Sequence, residues 1–237
     1  MGRHESDRLL LIAARKPVPG QTKTRLGTAI GMERAATLYR SFLHDLAMRF
    51  MREPQDFAIG WAYTPESHPF RDTIEAICPS LDPDQVHYVQ QVGADWAERQ
   101  AQLLHWGSDH GFAATILTAS DSPQMTREVV TAAFEALETA DVVIGRVHDG
   151  GYYLIGVRGT HDVVTGVPMS TASAADNLIA QAEQRGLRVA TVEPTFDIDI
   201  EPDLEFLITL CHANPQAAPA TATALAALGL ITQGEVA

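Results

Sequence analysis

The run Leu9-Leu10-Leu11-Ile12-Ala13-Ala14 constrains the fold more than any other stretch of the chain. Six apolar residues in succession, ended by Arg15 and Pro17, offer no polar face to water, which is the pattern of a strand buried on both sides. Two-sided burial points to a parallel sheet covered by helices. After a loop, Ala35, Leu38, Tyr39, Phe42, Leu43, Leu46 and Phe50 recur at helical spacing and predict a helix from about 32 to 51. The alternation continues with a strand near 57–63, a helix near 70–77, a strand near 86–89, a helix near 94–106 and a buried strand at 113–118. Thr126 can cap the next helix. Residues 142–144 and 152–157 read as strands, 175–182 as a helix, 188–192 as a last strand and 203–211 as a short helix. Such alternation implies right-handed crossovers in one α/β domain, with a mostly parallel mixed sheet and helices on both faces. Ligands of such sheets bind at the carboxyl ends of the strands.

A length of 237 residues suits a single domain. We assign 1–212 to it and 213–237 to an Ala-rich C-terminal helix or arm, whose uncharged surface could carry a homodimer contact. Thirty acidic against seventeen basic residues give a net charge of −13, which argues against nucleic acid or an anionic membrane as partner. Cys78 and Cys211 form no C-x-x-C pair, and the histidines show no H-x-x-x-H spacing, so neither a disulfide framework nor a zinc site is expected. The apolar run at 9–14 is too short to span a bilayer and lacks a signal-peptide pattern, and a cytoplasmic protein is expected.

The first chemically informative segment is the loop from Arg15 to Leu26. Pro17 and Pro19 stiffen it, Gly20 frees its backbone, and Arg15, Lys16, Lys23 and Arg25 concentrate positive charge in an acidic chain. The only two lysines of the chain, Lys16 and Lys23, both lie here. A di- or triphosphate site and a solvated basic turn are the two readings. Asp121, in Ser120-Asp121-Ser122-Pro123 at a strand end, can hold Mg²⁺ or Mn²⁺ or simply start a turn. Asp197 and Asp199 alternate to one side, where two carboxylates repel unless a cation screens them; Asp203 can cap the following helix. His148-Asp149-Gly150-Gly151-Tyr152 is either a hairpin turn or a close-approach site in which Asp149 and Tyr152 bind sugar hydroxyls or an acceptor. Glu98 and Arg99 fit a solvated helix face, Ser170 and Thr171 fit helix capping, and Trp61, Trp96 and Trp106 fit the core or its edge.

Taken in order, these motifs resemble a bacterial transferase family associated with radical-SAM and selenoprotein-domain gene clusters. The residues concerned are Lys16-Pro17-Val18-Pro19-Gly20, Lys23-Thr24-Arg25-Leu26, Ser120-Asp121-Ser122-Pro123, Asp149-Gly150-Gly151-Tyr152-Tyr153, Ser170-Thr171 and Asp197-Ile198-Asp199 with Pro202-Asp203-Leu204. The resemblance covers about 9–207 and implies the nucleotide-diphospho-sugar transferase fold, GT-A and Rossmann-like. It implies a nucleotide and phosphate site of Arg15, Lys16, Gly20, Lys23 and Arg25, and a Mg²⁺ or Mn²⁺ ion between Asp121, Asp197 and Asp199. It further implies a substrate site of Gly150, Gly151, Tyr152, Ser170 and Thr171. The cation and Lys23 or Arg25 would stabilise a departing diphosphate, and Asp149 would serve the acceptor as base or orienting group. The metal strand carries no D-x-D, only Asp121 between serines. Lys23-Thr24-Arg25-Leu26 also resembles the phospholactate guanylyltransferases, although Tyr152 and Tyr153 stand where those enzymes have Thr and Asn after the paired glycines. The expected activity is metal-dependent sugar transfer from a nucleotide-diphospho-sugar to a small-molecule acceptor. The alternatives are nucleotidyl transfer from a nucleoside triphosphate with pyrophosphate release, and a nucleotide sensor without turnover.

Overall fold

In the computed structural model, which describes residues 6–64, 69–169 and 171–231, strands and helices alternate over most of the chain. The order is β1 (Arg8–Arg15), α1 (Thr24–Ile30), α2 (Met32–Met51), β2 (Ala58–Thr64), α3 (Phe70–Ile77), β3 (His87–Gln90), α4 (Trp96–Asp109) and β4 (Ala114–Ala119). It continues with α5 (Arg127–Leu137), β5 (Val142–Val147), β6 (Tyr152–Arg158), α6 (Ala174–Gln184), β7 (Val189–Thr195), α7 (Asp203–Ala213) and α8 (Pro219–Ala227). Seven strands form one sheet in the order β3-β2-β1-β4-β6-β5-β7. All neighbours are parallel except β6, which runs antiparallel to β4 and β5.

The apolar run is β1, with β2 and β4 on either side. Leu10, Ile12 and Ala14 pack into a core with α2 and α5, while Leu9, Leu11 and Ala13 pack into a second core with α4 and α6. This is the period-2 alternation of a strand with two covered faces. From β1 the chain builds outward to β2 and β3, then crosses back to place β4 on the other side of β1. The carboxyl ends of β1 and β4 therefore diverge into loops on opposite sides, and the gap between them is the ligand crevice of such sheets.

Three local expectations are resolved at this level. Thr126 does cap α5, its hydroxyl accepting the Val129 N–H at 3.3 Å. Residues 24–30, read as loop, form α1; the helix is only seven residues long and carries Gly27, so its periodicity was too brief to register. The 148–151 segment is the turn of the β5–β6 hairpin, closed by Gly150 N–H to Val147 O at 3.2 Å and Val147 N–H to Gly151 O at 3.1 Å.

The Ala-rich tail packs on the chain's own α2. Asp45 of α2, 4 % exposed, accepts the N–H groups of Ala220 and Thr221, both at 2.8 Å, and the Thr221 hydroxyl at 2.6 Å. A carboxylate is placed here against the unsatisfied N–H groups of the first turn of α8. Arg49, one turn further along α2, donates to the carbonyls of Pro123, Met125 and Ala217 and so ties the tail to the loop after β4. Among the described residues no helix is long and apolar enough to cross a membrane.

Candidate functional site

The loop after β1 is folded on itself by Thr22, which is 4 % exposed. Its hydroxyl donates to Lys16 O at 2.7 Å and accepts the Val18 N–H at 3.3 Å. The chain then enters α1 through Lys23, whose φ of +51° is the only positive value at a non-glycine residue among those described. For an L residue that conformation costs on the order of 1–2 kcal/mol and is held only where surroundings over-determine it. Here the far end of the side chain supplies the constraint. Lys23 Nζ lies 2.7 Å from Asp121 Oδ1 and 2.7 Å from Asp199 Oδ1, with the side chain 6 % exposed.

Asp121 reaches this point because β4 ends just before it. The flanking serines point the other way and are buried: Ser120 Oγ lies 2.7 Å from the Tyr39 hydroxyl, which also accepts the Arg15 N–H at 3.0 Å. The Ser122 hydroxyl donates to Phe196 O at 2.9 Å. Gln124 Nε2 donates to the same carbonyl at 2.7 Å, and the Ile198 N–H donates to Asp121 O at 3.0 Å. The segment after β7 is thereby stitched to the end of β4. Ile198 is fully buried, so alternation turns Asp197 and Asp199 toward the crevice. Asp203 accepts the N–H groups of Asp199 and Ile200 at 2.7 and 2.8 Å, which holds this turn rather than capping α7 from its N-cap position. Arg25 Nη2 sits 2.5 Å from Asp199 Oδ2, so both oxygens of Asp199 face a cation.

The electrostatics follow from this packing. Burial alone would lower the Lys23 pKa, but Asp121 and Asp199 more than offset it and hold the ammonium charged. Burial also works to raise Asp199, yet Lys23 and Arg25 keep its carboxyl below the usual range. At Asp121 burial wins and pushes the group up against the pull of Lys23. Asp197 forms no ion pair among the described residues, and burial with the nearby Asp199, Asp121 and Asp149 raises it to about 6. Tyr39 is pushed up to about 12, first by burial and then by Asp121.

Two cavities meet at this cluster. The first, about 400 Å³, is lined by Arg15, Gln21, Lys23, Arg25, Gln91 and Arg99, with Asp121 and Asp199 at its inner wall. The second, about 480 Å³, is lined by Gln100, Asp149, Tyr152, Thr171, Asp197 and again Arg25, Asp121 and Asp199. Among the described residues, four cationic side chains face the first cavity against two carboxylates. One faces the second against four.

Of the expected phosphate residues, Arg15, Lys23 and Arg25 line the first cavity, whereas Lys16 and Gly20 lie outside its wall. Gly20, at φ +73°, serves the turn. In the hairpin, Gly151 and Tyr152 face the second cavity, but Gly150 does not give a ligand close approach. A Cβ on it would fall 1.8 Å from the Ala172 carbonyl oxygen, so the space is filled by the chain's own backbone. Asp149 lines the second cavity, with Oδ1 accepting the Gly151 N–H at 2.9 Å. The Tyr152 hydroxyl is paired with Gln100. Thr171 faces the cavity and does not cap α6, whose N-cap is Ser173; Ser170 lies outside the described residues.

Four residues were missed or misplaced by sequence reasoning. Tyr39 was read only as helix core, and Gln100 was not singled out. Arg99, read as a solvated helix face, lines the first cavity, and Trp96, read as core or core edge, lines both. The usable signal was the start of α4. Asp95 accepts the Glu98 N–H and Glu98 accepts the Ala94 N–H, a reciprocal cap that directs Trp96, Arg99 and Gln100 to one helix face.

Asp121, Asp197 and Asp199 offer hard oxygen donors of the kind Mg²⁺ and Mn²⁺ take. Asp121 and Asp199, however, close on an ammonium, and among the described residues no three His, Cys, Asp or Glu side chains are gathered to hold a metal ion. As arranged, the three aspartates do not fit a resident divalent ion.

A family model described as "Uncharacterized protein conserved in bacteria" (DUF2064) matches residues 63–171, a stretch that holds Asp121 and the 149–152 turn but not Lys23 or Asp199. No curated protein matches the chain. A Desulfovibrio desulfuricans G20 structure, provisionally described as a nucleotide-diphospho-sugar transferase, is 29% identical with a TM-score of 0.84, over 95% of this chain and 96% of that one. The 4-diphosphocytidyl-2C-methyl-D-erythritol synthase of Anaerococcus prevotii DSM 20548 superposes at TM-score 0.53 and 12% identity, over 84% of this chain and 93% of that one. CMP:2-keto-3-deoxy-manno-octonic acid synthetase, in complex with CTP, does so at 0.51 and 11%, over 87% and 98%. The fold is thus that of the nucleotide-diphospho-sugar transferases and nucleotidyltransferases.

Proposed function

We propose that the protein transfers a sugar from a nucleotide-diphospho-sugar to a small, uncharged acceptor, as expected from the transferases its sequence resembles. The single observation that carries this reading is the opposite charge of the two adjoining cavities. A diphosphate belongs in the first, where Arg15, Lys23, Arg25 and Arg99 face it. The second, lined by Asp121, Asp149, Asp197 and Asp199, repels a phosphorylated or carboxylate acceptor and suits hydroxyl groups.

In this arrangement the donor's diphosphate lies against Lys23 and Arg25, which stabilise the charge that grows on it as the sugar–oxygen bond breaks. Trp96, at the wall shared by both cavities, flanks the sugar. Asp197 is placed to take the acceptor's proton, and Asp149, with one oxygen engaged by the hairpin turn, orients the acceptor. Gln100 and Tyr152 hold one another and present a polar wall for hydroxyls.

A second reading, nucleotidyl transfer from a nucleoside triphosphate, is favoured by the four cations of the first cavity, enough for three phosphates. The deciding experiment is a binding and turnover panel of nucleotide-diphospho-sugars against nucleoside triphosphates. Sugar transfer predicts thermal stabilisation by one nucleotide-diphospho-sugar and release of a nucleoside diphosphate; stabilisation by a triphosphate alone, with pyrophosphate released, would overturn it.

A further inference from the structure

Phe206 stands off the covered face of α7. The helix buries Leu204, Leu207 and Cys211, which form one stripe at helical spacing, and Phe206 lies outside that stripe with 53 % of its surface exposed. It packs instead against Phe196, with ring centres 5.7 Å apart and planes at 35°. Ile200, 40 % exposed, completes an apolar wall beside the two rings. Among the described residues the large apolar side chains left exposed are Met32, Val92, Ile200 and Phe206, and two of these four meet at one cavity. Exposed apolar residues scattered singly are ordinary, whereas a contiguous apolar wall against a cavity marks a binding surface.

This third cavity measures about 170 Å³, close to the roughly 150 Å³ that holds one benzene ring. It shares Arg25, Asp149, Asp197 and Asp199 with the second cavity, so a ligand can occupy both. Asp199 is already engaged by Lys23 and Arg25, and Asp203 by the N–H groups of Asp199 and Ile200. Asp149 and Asp197 are left to meet a ligand, and they repel an anion. Phe196, Ile200 and Phe206 have no polar side-chain atom, so a sugar laid against them would give up hydration of its hydroxyls without replacement. An apolar ring gives up none and gains by burial.

We infer that the third cavity is a subsite for an uncharged alcohol carried on an apolar ring, the ring lying against Phe206 and Phe196 and the hydroxyl reaching Asp197. The inference names the class of acceptor and rests on the reading of the second cavity as the acceptor site. Phe206 is then a specificity-determining residue, retained on an open helix face because the ligand supplies its cover.

The test is ligand-observed fluorine NMR, without donor, of 4-fluorobenzyl alcohol titrated against the full chain, against Phe206→Ser and against Phe206→Leu, which keeps the position apolar should the serine variant fold poorly. Wild type should bind the probe, Phe206→Ser about tenfold more weakly and Phe206→Leu between the two, the size of a lost ring–ring contact. The anion 4-fluorobenzoate should bind wild type more weakly than the alcohol. Absence of binding by 4-fluorobenzyl alcohol overturns the inference, as does preferential binding of the benzoate. Equal affinity in wild type and both variants also overturns it, since the ring would then lie elsewhere, as in the apolar groove of Cys211, Ala222 and Ile231 between α7 and α8. Binding that depends on Phe206 in a chain that no nucleotide-diphospho-sugar stabilises would leave the ring-alcohol site standing while sugar transfer falls.

Discussion

Lys23 Nζ donates to Asp199 Oδ1 at 2.7 Å across 176 positions of sequence. The contact joins the first loop of the sheet to the segment that follows its last strand, and Arg25 reinforces it from two residues away. Substitutions in this pair of basic residues should separate, because one is enclosed and the other open to solvent.

Arg25 has a side chain 69 % exposed and faces both cavities. Arg25→Ala should therefore leave the melting temperature within about 2 °C of wild type while raising the KM for donor about tenfold or more, the loss of one charge-assisted hydrogen bond. Steady-state kinetics beside a thermal melt would check it. Lys23→Arg should fail to restore function, because the planar guanidinium does not fit the enclosed slot of a compact ammonium.

Trp96 should report ligand binding. It lines both cavities, whereas Trp61 is fully buried away from them and Trp106 stacks on His110 at 3.9 Å between ring centres. Ligand entering either cavity should change the tryptophan emission of wild type, and Trp96→Phe should abolish the change while retaining the emission of the other two indoles. An unchanged response in the variant would remove Trp96 from the site.

Asp45 should matter to stability more than any catalytic residue does. Asp45→Ala strips three hydrogen bonds from the start of α8. The expected loss is about 3 kcal/mol, seen as a fall of roughly 6–12 °C in melting temperature for a chain of this size. Urea unfolding of the variant would check the figure.

Asp141 predicts a pH-dependent effect. Hydrogen bonds from Arg188, side chain and backbone, and from Arg158 hold its carboxyl below the usual carboxylate range. A depressed pKa means that the folded state favours the ionised form, so its contribution is present above the unfolded value near 4 and is lost as the pH falls through the lower, folded one. Asp141→Asn should lower the urea midpoint at pH 7, and the gap to wild type should narrow steadily below about pH 4. A gap that stays constant with pH would show that the arginine pairs contribute nothing through charge.

Cys78 and Cys211 are each 1 % exposed, and burial pushes both thiols up to about 11. At pH 8 a thiol reagent should label neither in the native protein and both after unfolding. Labelling of Cys211 before unfolding would reveal local opening beside α8.

Much of the architecture was legible in short stretches of sequence. The apolar run of β1 announced a doubly covered strand, and the spacing from Ala35 to Phe50 set the limits of α2, since both patterns arise from neighbours within one or two turns of the chain. The carboxylates of the site and the basic side chains of its first loop were visible too, as was the alternation that sends Asp197 and Asp199 to one side of Ile198. These are local properties, and residue order suffices to determine them.

Tertiary structure decided what the groups do to one another. No spacing rule could show that the ammonium of Lys23 would stand between Asp121 and Asp199, because that contact depends on β4 returning to the side of β1 and on the Ile198 N–H binding Asp121 O. The same holds for Gly150, whose missing side chain makes room for the Ala172 carbonyl rather than for a ligand, and for Trp96 and Arg99, whose helix face is turned inward by the position of α4 on the sheet. Periodicity reports which side of an element is covered. Which partner covers it, and with what charge, is set by packing between segments distant in sequence, up to 176 positions apart in the Lys23–Asp199 contact.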